Sequence, residues 1–394
     1  MAILFLVVFI ALLGFGITIP LFPFYAQRFG ASPEVITWTM SVFTIGQMVA
    51  TPIWGRLGDA WGRRPVLILT LTGITASYLL LAYADSLALV IASRVLGGLM
   101  AGNVSAAFAY VADITTTENR AGALGKISAG LGLGFMLGPA LGGVLAGPEV
   151  ATANYLLPAL GAAALSFTAM LASLLFLPES LAPENRRPLR RERGVARPPR
   201  PALQADFLRL VLAAAVLNVS MSIMESIFSL WANDVFRYGP SSIGIIFFVM
   251  GGIQALMQGF LLASLTRRVG EKRVVSGSGI LLVIGLAVLA AADNGWQLWT
   301  GIVLFSLGAG FIWPSLSSLV TRTAGPTEYG SVMGWFQSAG AVGRVIGPGI
   351  SGALYAQVSV AAPFAVASLI MVPVLMVVQG FRSPRQGGAQ RSGK

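Results

Sequence analysis

The 394-residue sequence contains no cysteine and no histidine. The first absence excludes disulfides, thiolate nucleophiles and cysteine-ligated metals. The second removes the usual proton carrier at neutral pH and the commonest metal ligand. Charge is scarce too: Asp, Glu, Lys and Arg make up 10% of the chain, against roughly 25% in a soluble domain. No nucleotide-binding glycine loop, metal cluster or nucleophile–base set is evident, so no enzyme, cofactor or metal site is expected.

What is there is apolar. Hydrophobic residues make up 56% of the chain, and mean hydropathy is +0.79. Twelve apolar runs lie near residues 3–25, 36–54, 65–84, 87–112, 121–146, 153–177, 206–231, 241–263, 273–292, 296–318, 330–352 and 361–381. Each is close to or above the roughly 20 residues a helix needs to cross the hydrocarbon. The opening run does not read as a signal peptide: it lacks a basic start, is too long, and has no small-residue cleavage site before Arg28. An all-α membrane protein with twelve transmembrane helices is expected.

The charges sort by side. Of 26 Lys and Arg, 22 fall on one side of these spans. Only Arg28 and Arg237 fall on the other, and Arg94 and Arg344 lie inside spans. The positive-inside rule then places both termini in the cytoplasm of a multi-pass protein of the cytoplasmic membrane. The net charge of +11 therefore reads as topology, with some attraction to anionic lipid, and not as a nucleic-acid site.

The chain divides once. Residues 178–205 hold seven Arg and six Pro, a solvated cytoplasmic linker rather than a span. This leaves six spans in residues 1–177, six in 206–381 and a cytoplasmic tail at 382–394. The halves repeat: Gly138-Pro139-Ala140-Leu141-Gly142-Gly143 matches Gly347-Pro348-Gly349-Ile350-Ser351-Gly352 at an offset of 209. At an offset of 208, the stretch Gly55 to Arg64 falls on Ala263 to Lys272. There Gly62 meets Gly270, while Asp59 is replaced by Arg267, so the second copy reads as decayed.

The most specific stretch is Gly55-Arg56-Leu57-Gly58-Asp59-Ala60-Trp61-Gly62-Arg63-Arg64-Pro65, a charged, glycine-punctuated turn between spans 2 and 3. It resembles the signature of the major facilitator superfamily at that place. Ser93-Arg94-Val95-Leu96-Gly97-Gly98-Leu99-Met100-Ala101-Gly102 resembles the helix-4 arginine motif of proton-coupled members. Gly130-Leu131-Gly132-Leu133-Gly134-Phe135-Met136-Leu137-Gly138-Pro139 resembles the helix-5 motif characteristic of exporters. Gly62 to Leu67, Tyr78 to Ala82 and Gly14 to Pro23 are similar to tetracycline/proton antiporters of the twelve-helix drug-exporter family. Those exporters carry acids in helices 1 and 3 where this chain has Ala11 and Ser77, so the resemblance supports export but not tetracycline as substrate.

The resemblance implies two pseudo-symmetric six-helix bundles in the major facilitator fold, with a substrate site between them near the midplane; the superfamily is itself a standard example of that architecture. It also implies a conformational gate at Gly55, Gly58, Asp59, Gly62, Arg63 and Arg64, in which Asp59 meets the start of helix 11. Asp59 also lies within reach of Arg63, with Asp113 as a third member. A glycine stripe at Gly130, Gly134, Gly138, Pro139 and Gly143 lets helices approach closely, and the resemblance gives it a sealing contact with helix 8.

Arg94, Glu225 and Arg344 are charges inside spans. Each costs at least about 2.5–3.5 kcal/mol on insertion scales, which makes them functional candidates. Glu225 is the acid placed deep in a span, so proton coupling is assigned to Glu225 with Arg94 and Asp113. A fixed pair of Glu225 with Arg94 or Arg344 is the alternative. Tyr25, Asn103, Asn218, Met221, Glu225, Trp231, Phe311, Trp313 and Arg344 form the expected substrate surface.

The expected function is secondary active transport: proton-coupled export of lipophilic or amphiphilic small molecules by a monomer in the bilayer, with the proton as coupling ion. Two alternatives stand beside it. One is a dedicated exporter of a metabolite such as a siderophore or sugar. The other is a non-transporting sensor or assembly protein on a transporter fold.

Overall fold

A computed structural model describes residues 1–186, 205–323 and 328–380. Most of the 178–205 linker and the whole 382–394 tail lie outside the described residues. Grouped across their interruptions, the helices of the described residues form twelve elements, with a short 3-10 turn at Pro183–Asn185 and no strand. α1 spans Ala2–Thr18 and resumes at Phe22–Gln27. α2 (Pro33–Trp61), α3 (Arg63–Ala82), α4 (Leu87–Ile114), α5 (Thr117–Ala146) and α6 (Leu156–Phe176) complete the first half. α7 (Ala205–Phe236), α8 (Pro240–Val269), α9 (Glu271–Ala290), α10 (Gly295–Thr321), α11 (Tyr329–Gln357) and α12 (Ala362–Gly380) form the second. Among the described residues, nine of these helices are long and apolar enough to cross a membrane by length and composition. The other three are α1, whose first part is only 17 residues long, and the more polar α2 and α11.

Local chemistry sets several boundaries. Ser32 caps α2 by accepting the Val35 N–H at 3.4 Å, ahead of Pro33 in the first turn. Asn294 caps α10 through the Gln297 N–H at 3.0 Å. Apolar runs locate a span but not its exit from the membrane. α2 therefore continues well past residue 54, and Gly55 to Trp61 form its last turns. The expected loop shrinks to Gly62, whose φ of 110° breaks the helix. Within α4 the helix is interrupted at residues 100–102. Trp54 of α2 fills the space beside Gly102 and donates Nε1–H to the Leu99 carbonyl at 2.7 Å.

The sequence repeat is also a packing repeat. Gly134 and Gly138 of α5 lie against the α1 backbone at Phe9, Leu13 and Gly16. Their partners at the 209 offset, Gly343 and Gly347 of α11, lie against α7 at Ala215, Val219 and Ser222. Gly143 and its counterpart Gly352 instead face the opposite half: Gly143 meets Pro240 and Ser241 of α8, and Gly352 meets Glu34 and Thr37 of α2. Without side chains these positions let backbones touch, which is how helices associate in lipid.

The hydrogen bonds joining the halves cluster away from the Gly62 turn. Ser241 donates Oγ–H to the Gly143 carbonyl at 2.9 Å and its N–H to Gly147 O at 3.2 Å. Ser41 donates to Val345 O at 2.8 Å, and Gln357 Nε2 donates to Glu34 Oε1 at 2.9 Å. The close contacts of Gly143 with α8 and of Gly352 with α2 lie at the same far end. Among the described residues, none of these contacts or hydrogen bonds joins the halves at the end that carries Gly62 and Gly270, so the halves are held together at the far end and not at this basic end.

Candidate functional site

A cavity of about 1120 Å³, counting its mouth, lies between the halves. Phe15, Ile19 and Phe22 of α1, Met40, Phe43, Thr44 and Gln47 of α2, and Phe135 of α5 line one side. Ser222, Glu225 and Ser226 of α7 with Arg344 and Pro348 of α11 line the other. Arg94 of α4 borders it and also borders a second cavity of about 520 Å³ within the first half. Asn103, Ser77 and Tyr78 belong to that second space. The apolar walls with a few charged groups match the general make-up of small-molecule sites.

The three intramembrane charges face this system without forming the fixed pairs that sequence left open. Arg344 donates Nη1–H to Asn218 Oδ1 at 3.0 Å, and Asn218 Nδ2 donates to the Ala214 carbonyl at 2.9 Å. Among the described residues, Glu225 has no hydrogen bond and no ion pair within 4.0 Å; its carboxylate is a wall of the cavity. Arg94 is 6% exposed, and its Nε and Nη2 have no hydrogen-bond partner among the described residues. Its guanidinium lies 5.5 Å from the ring centroid of Phe22 and 6.0 Å from that of Phe43, within cation–π range.

Several expected surface residues sit elsewhere. Tyr25 is buried at the far end, donates to the Leu81 and Ala84 carbonyls at 2.8 and 3.1 Å, and stacks on Tyr155. Its hydroxyl is satisfied by backbone, so it does not reach the central cavity. Trp231 is 1% exposed and packs among Phe228, Phe236 and Phe364. Phe311 is buried in α10, Met221 packs against the main apolar core, and Trp313 stacks on Phe336 at 4.8 Å. These four follow helix packing rather than the cavity wall. Asn218 acts one step back, as the acceptor that holds Arg344.

At the basic end, Asp59 Oδ1 lies 2.6 Å from Arg63 Nη2, and Arg63 Nε donates to Asp113 Oδ2 at 3.0 Å. Arg63 also packs over Gly58. Arg64 Nη2 donates to the Leu174 carbonyl at 2.6 Å. Sequence reasoning missed the residue that organises this turn, Glu179. It follows α6, and its Oε1 accepts the N–H groups of Arg63 at 2.8 Å, Ser180 at 3.0 Å and Leu181 at 3.1 Å. Its Oε2 accepts the Arg64 N–H at 3.3 Å. A carboxylate on the orphan N–H groups that begin α3 is favoured by the helix dipole. The positive φ of Gly62 is what calls for glycine there, and an added Cβ would also press on the Glu179 carboxylate. The only local sign of Glu179 was an acid directly after an apolar run, in Leu177-Pro178-Glu179-Ser180.

The second copy of the turn has not simply decayed. Glu271 begins α9 as Arg63 begins α3, and Arg322 at the 209 offset from Asp113 pairs with it at 2.8 Å. Ser318 also donates to Glu271 Oε1 at 2.7 Å. This ion pair survives with its charges exchanged, while Arg267, where the first half has Asp59, donates Nε–H to the Ala263 carbonyl at 3.2 Å.

Gly130, Gly134 and Gly138 contact α1 of the same half, at Phe5, Phe9, Leu13 and Gly16. Gly143 and Pro139 of the same stripe do make the expected α5 contact with α8, Gly143 at Pro240 and Ser241 and Pro139 through its carbonyl against Gly244, and Met136 adds to it against Gly251.

The comparisons with known proteins agree with this architecture. A family model described as Major Facilitator Superfamily matches residues 4–263 and 210–394. The chain is 27% identical to Multidrug resistance protein 2 of Bacillus subtilis (strain 168) over 389 residues, covering 97% of this chain and 95% of that one. It is 28% identical to the class C Tetracycline resistance protein of Escherichia coli over 353 residues, covering 87% and 86%. The crystal structure of the human organic anion transporter MFSD10 (TETRAN) superposes with a TM-score of 0.72 at 26% identity, covering 96% of this chain and 98% of the other. With twelve helices in two repeated halves around a shared cavity, this multi-pass membrane protein belongs to the Major Facilitator Superfamily and is a transporter, not an enzyme.

Proposed function

We propose that the protein exports lipophilic or amphiphilic small molecules by alternating access, driven by inward proton flow. One observation carries this reading: Glu225 stands on the wall of an apolar cavity between the halves, with no ion pair within 4.0 Å among the described residues to fix its charge. A carboxylate so placed is available to a proton and to a substrate in turn. The resistance proteins among its relatives, and the organic anion transporter, support small-molecule transport of this general kind. On this reading the protein acts as a monomer, its two six-helix bundles are joined by the 178–205 linker, and the proton is the coupling ion.

The charge distribution supports a cytoplasmic basic end and cytoplasmic termini in a cytoplasmic membrane. The far-end closure then corresponds to a state open to the cytoplasm, ready to load a substrate for export. Single cysteines report this without background, because the chain has none of its own. A cysteine at Asp293 should react with an impermeant maleimide on intact cells, and one at Arg190 should not. Labelling of position 190 from outside would reverse the orientation.

The function is tested by expressing the protein in an efflux-deficient strain and measuring accumulation of a panel of lipophilic dyes and antibiotics. Lower accumulation, restored by a protonophore, is the expected result. A panel with no compound affected would sink drug export, and export insensitive to the protonophore would sink proton coupling.

A further inference from the structure

Arg94, which the sequence reading groups with Glu225 in proton coupling, is a buried cation without a partner acid among the described residues. It sits at the junction of the central cavity and the side cavity of the first half. It is 6% exposed, and no carboxylate lies within 4.0 Å of it among the described residues. Its two unpartnered donors, Nε and Nη2, lie on one edge of the guanidinium. That edge presents two parallel N–H groups, the arrangement that accepts a planar or tetrahedral oxyanion through two hydrogen bonds. Burying a cation without such a partner is costly, and both atoms are closed to solvent in this state, so a group brought to this edge reaches it as the surrounding side chains move.

The surroundings define the rest of the ligand. Phe22 and Phe43 flank the guanidinium at 5.5 and 6.0 Å, and Phe15 belongs to both cavities. An apolar body fits there while its charged end reaches Arg94. The charge facing the central cavity is contributed by Arg94, Arg344 and Glu225, so cations outnumber the acid. Arg344 already donates to Asn218, which leaves Arg94 as the better anion receptor.

Resting on the assignment of the central cavity as the substrate site, we infer that Arg94 forms a subsite for the carboxylate or sulfonate of an amphiphilic, aromatic monoanion, held between Phe22 and Phe43. The preferred substrates are then organic anions with an apolar body rather than lipophilic cations.

Two fluorescent probes test this directly. 1-Anilinonaphthalene-8-sulfonate and N-phenyl-1-naphthylamine share a ring system and differ by the sulfonate. Saturable binding of each is measured on the full chain in lipid nanodiscs, with empty nanodiscs subtracted. The quantity read is the ratio of the two affinities. Arg94→Gln should shift that ratio against the sulfonate by about tenfold or more, the loss expected for charge-assisted hydrogen bonds. Arg94→Lys, which keeps the charge without the two-pronged edge, should shift it severalfold less. If Arg94→Gln does not fold, the Lys variant decides, and an unchanged ratio there overturns the subsite. Equal loss of both probes, or no loss of either, overturns the anion subsite but leaves the cavity as the substrate site. Failure of the native protein to bind either probe saturably overturns both.

Discussion

Glu225→Gln is expected to abolish uphill export while leaving downhill exchange in place. The glutamine keeps the shape and the hydrogen-bonding capacity of the acid but cannot take up or release a proton. Each proton moved down 100 mV supplies about 2.3 kcal/mol, enough to support a concentration ratio of roughly forty across the membrane. Without coupling, that ratio relaxes to about one for a neutral substrate. Glu225 is only partly buried and makes no ion pair among the described residues, so the substitution breaks no internal contact and should not cost much folded protein. The measurement is substrate accumulation in inside-out vesicles energised by an imposed proton gradient, followed by counterflow without a gradient. A Gln variant that concentrates substrate at the wild-type rate would place the coupling elsewhere, with Asp113 the next acid to test.

The parts of this architecture that were legible in the sequence share a physical reason. A charge inside an apolar span is expensive, so Arg94, Glu225 and Arg344 stood out on composition alone. The 209-residue offset was legible because close backbone approach admits only small residues, and Gly143 and Gly352 repeat both the residue and the contact with the opposite half. Side-chain direction was not legible. Tyr25 and Trp231 are of the same residue types as a cavity wall, but helix rotation turns one toward the Leu81 and Ala84 carbonyls and the other into an aromatic cluster. The exit of α2 was misjudged because hydropathy ends where the helix meets the headgroups, whereas the helix itself ends only where Gly62 takes a positive φ. Glu179 was invisible for another reason. Its partners at the start of α3 lie 115 and 116 residues away in sequence, and a lone acid after a span carries no sign of them.

Asp59→Asn is expected to enrich the state open at the basic end and to slow transport severalfold, with little loss of folded protein. In the structure that end is open, and Asp59 is engaged by Arg63 alone among the described residues, with its side chain 41% exposed. Removing its charge leaves Arg63 bonded to Asp113 at 3.0 Å, so the cation is not stranded. A pair this exposed contributes about 1 kcal/mol or less to stability. In the opposite state, closure is expected to bring the end of α2 toward the start of α11 at Tyr329, where the helix dipole favours an anion. That interaction is typically 0.3–1 kcal/mol and up to about 2 in partly buried geometry. Losing about 1 kcal/mol shifts a two-state equilibrium roughly fivefold, and the cycle then dwells in the loading state. Spin labels on cysteines at Arg56 and Gly334 read the basic-end separation, and a pair at Glu34 and Gln357 reads the far end. The variant should lengthen the population-weighted distance of the first pair and shorten that of the second. Unchanged distance distributions, together with an unchanged transport rate, would remove Asp59 from the gate.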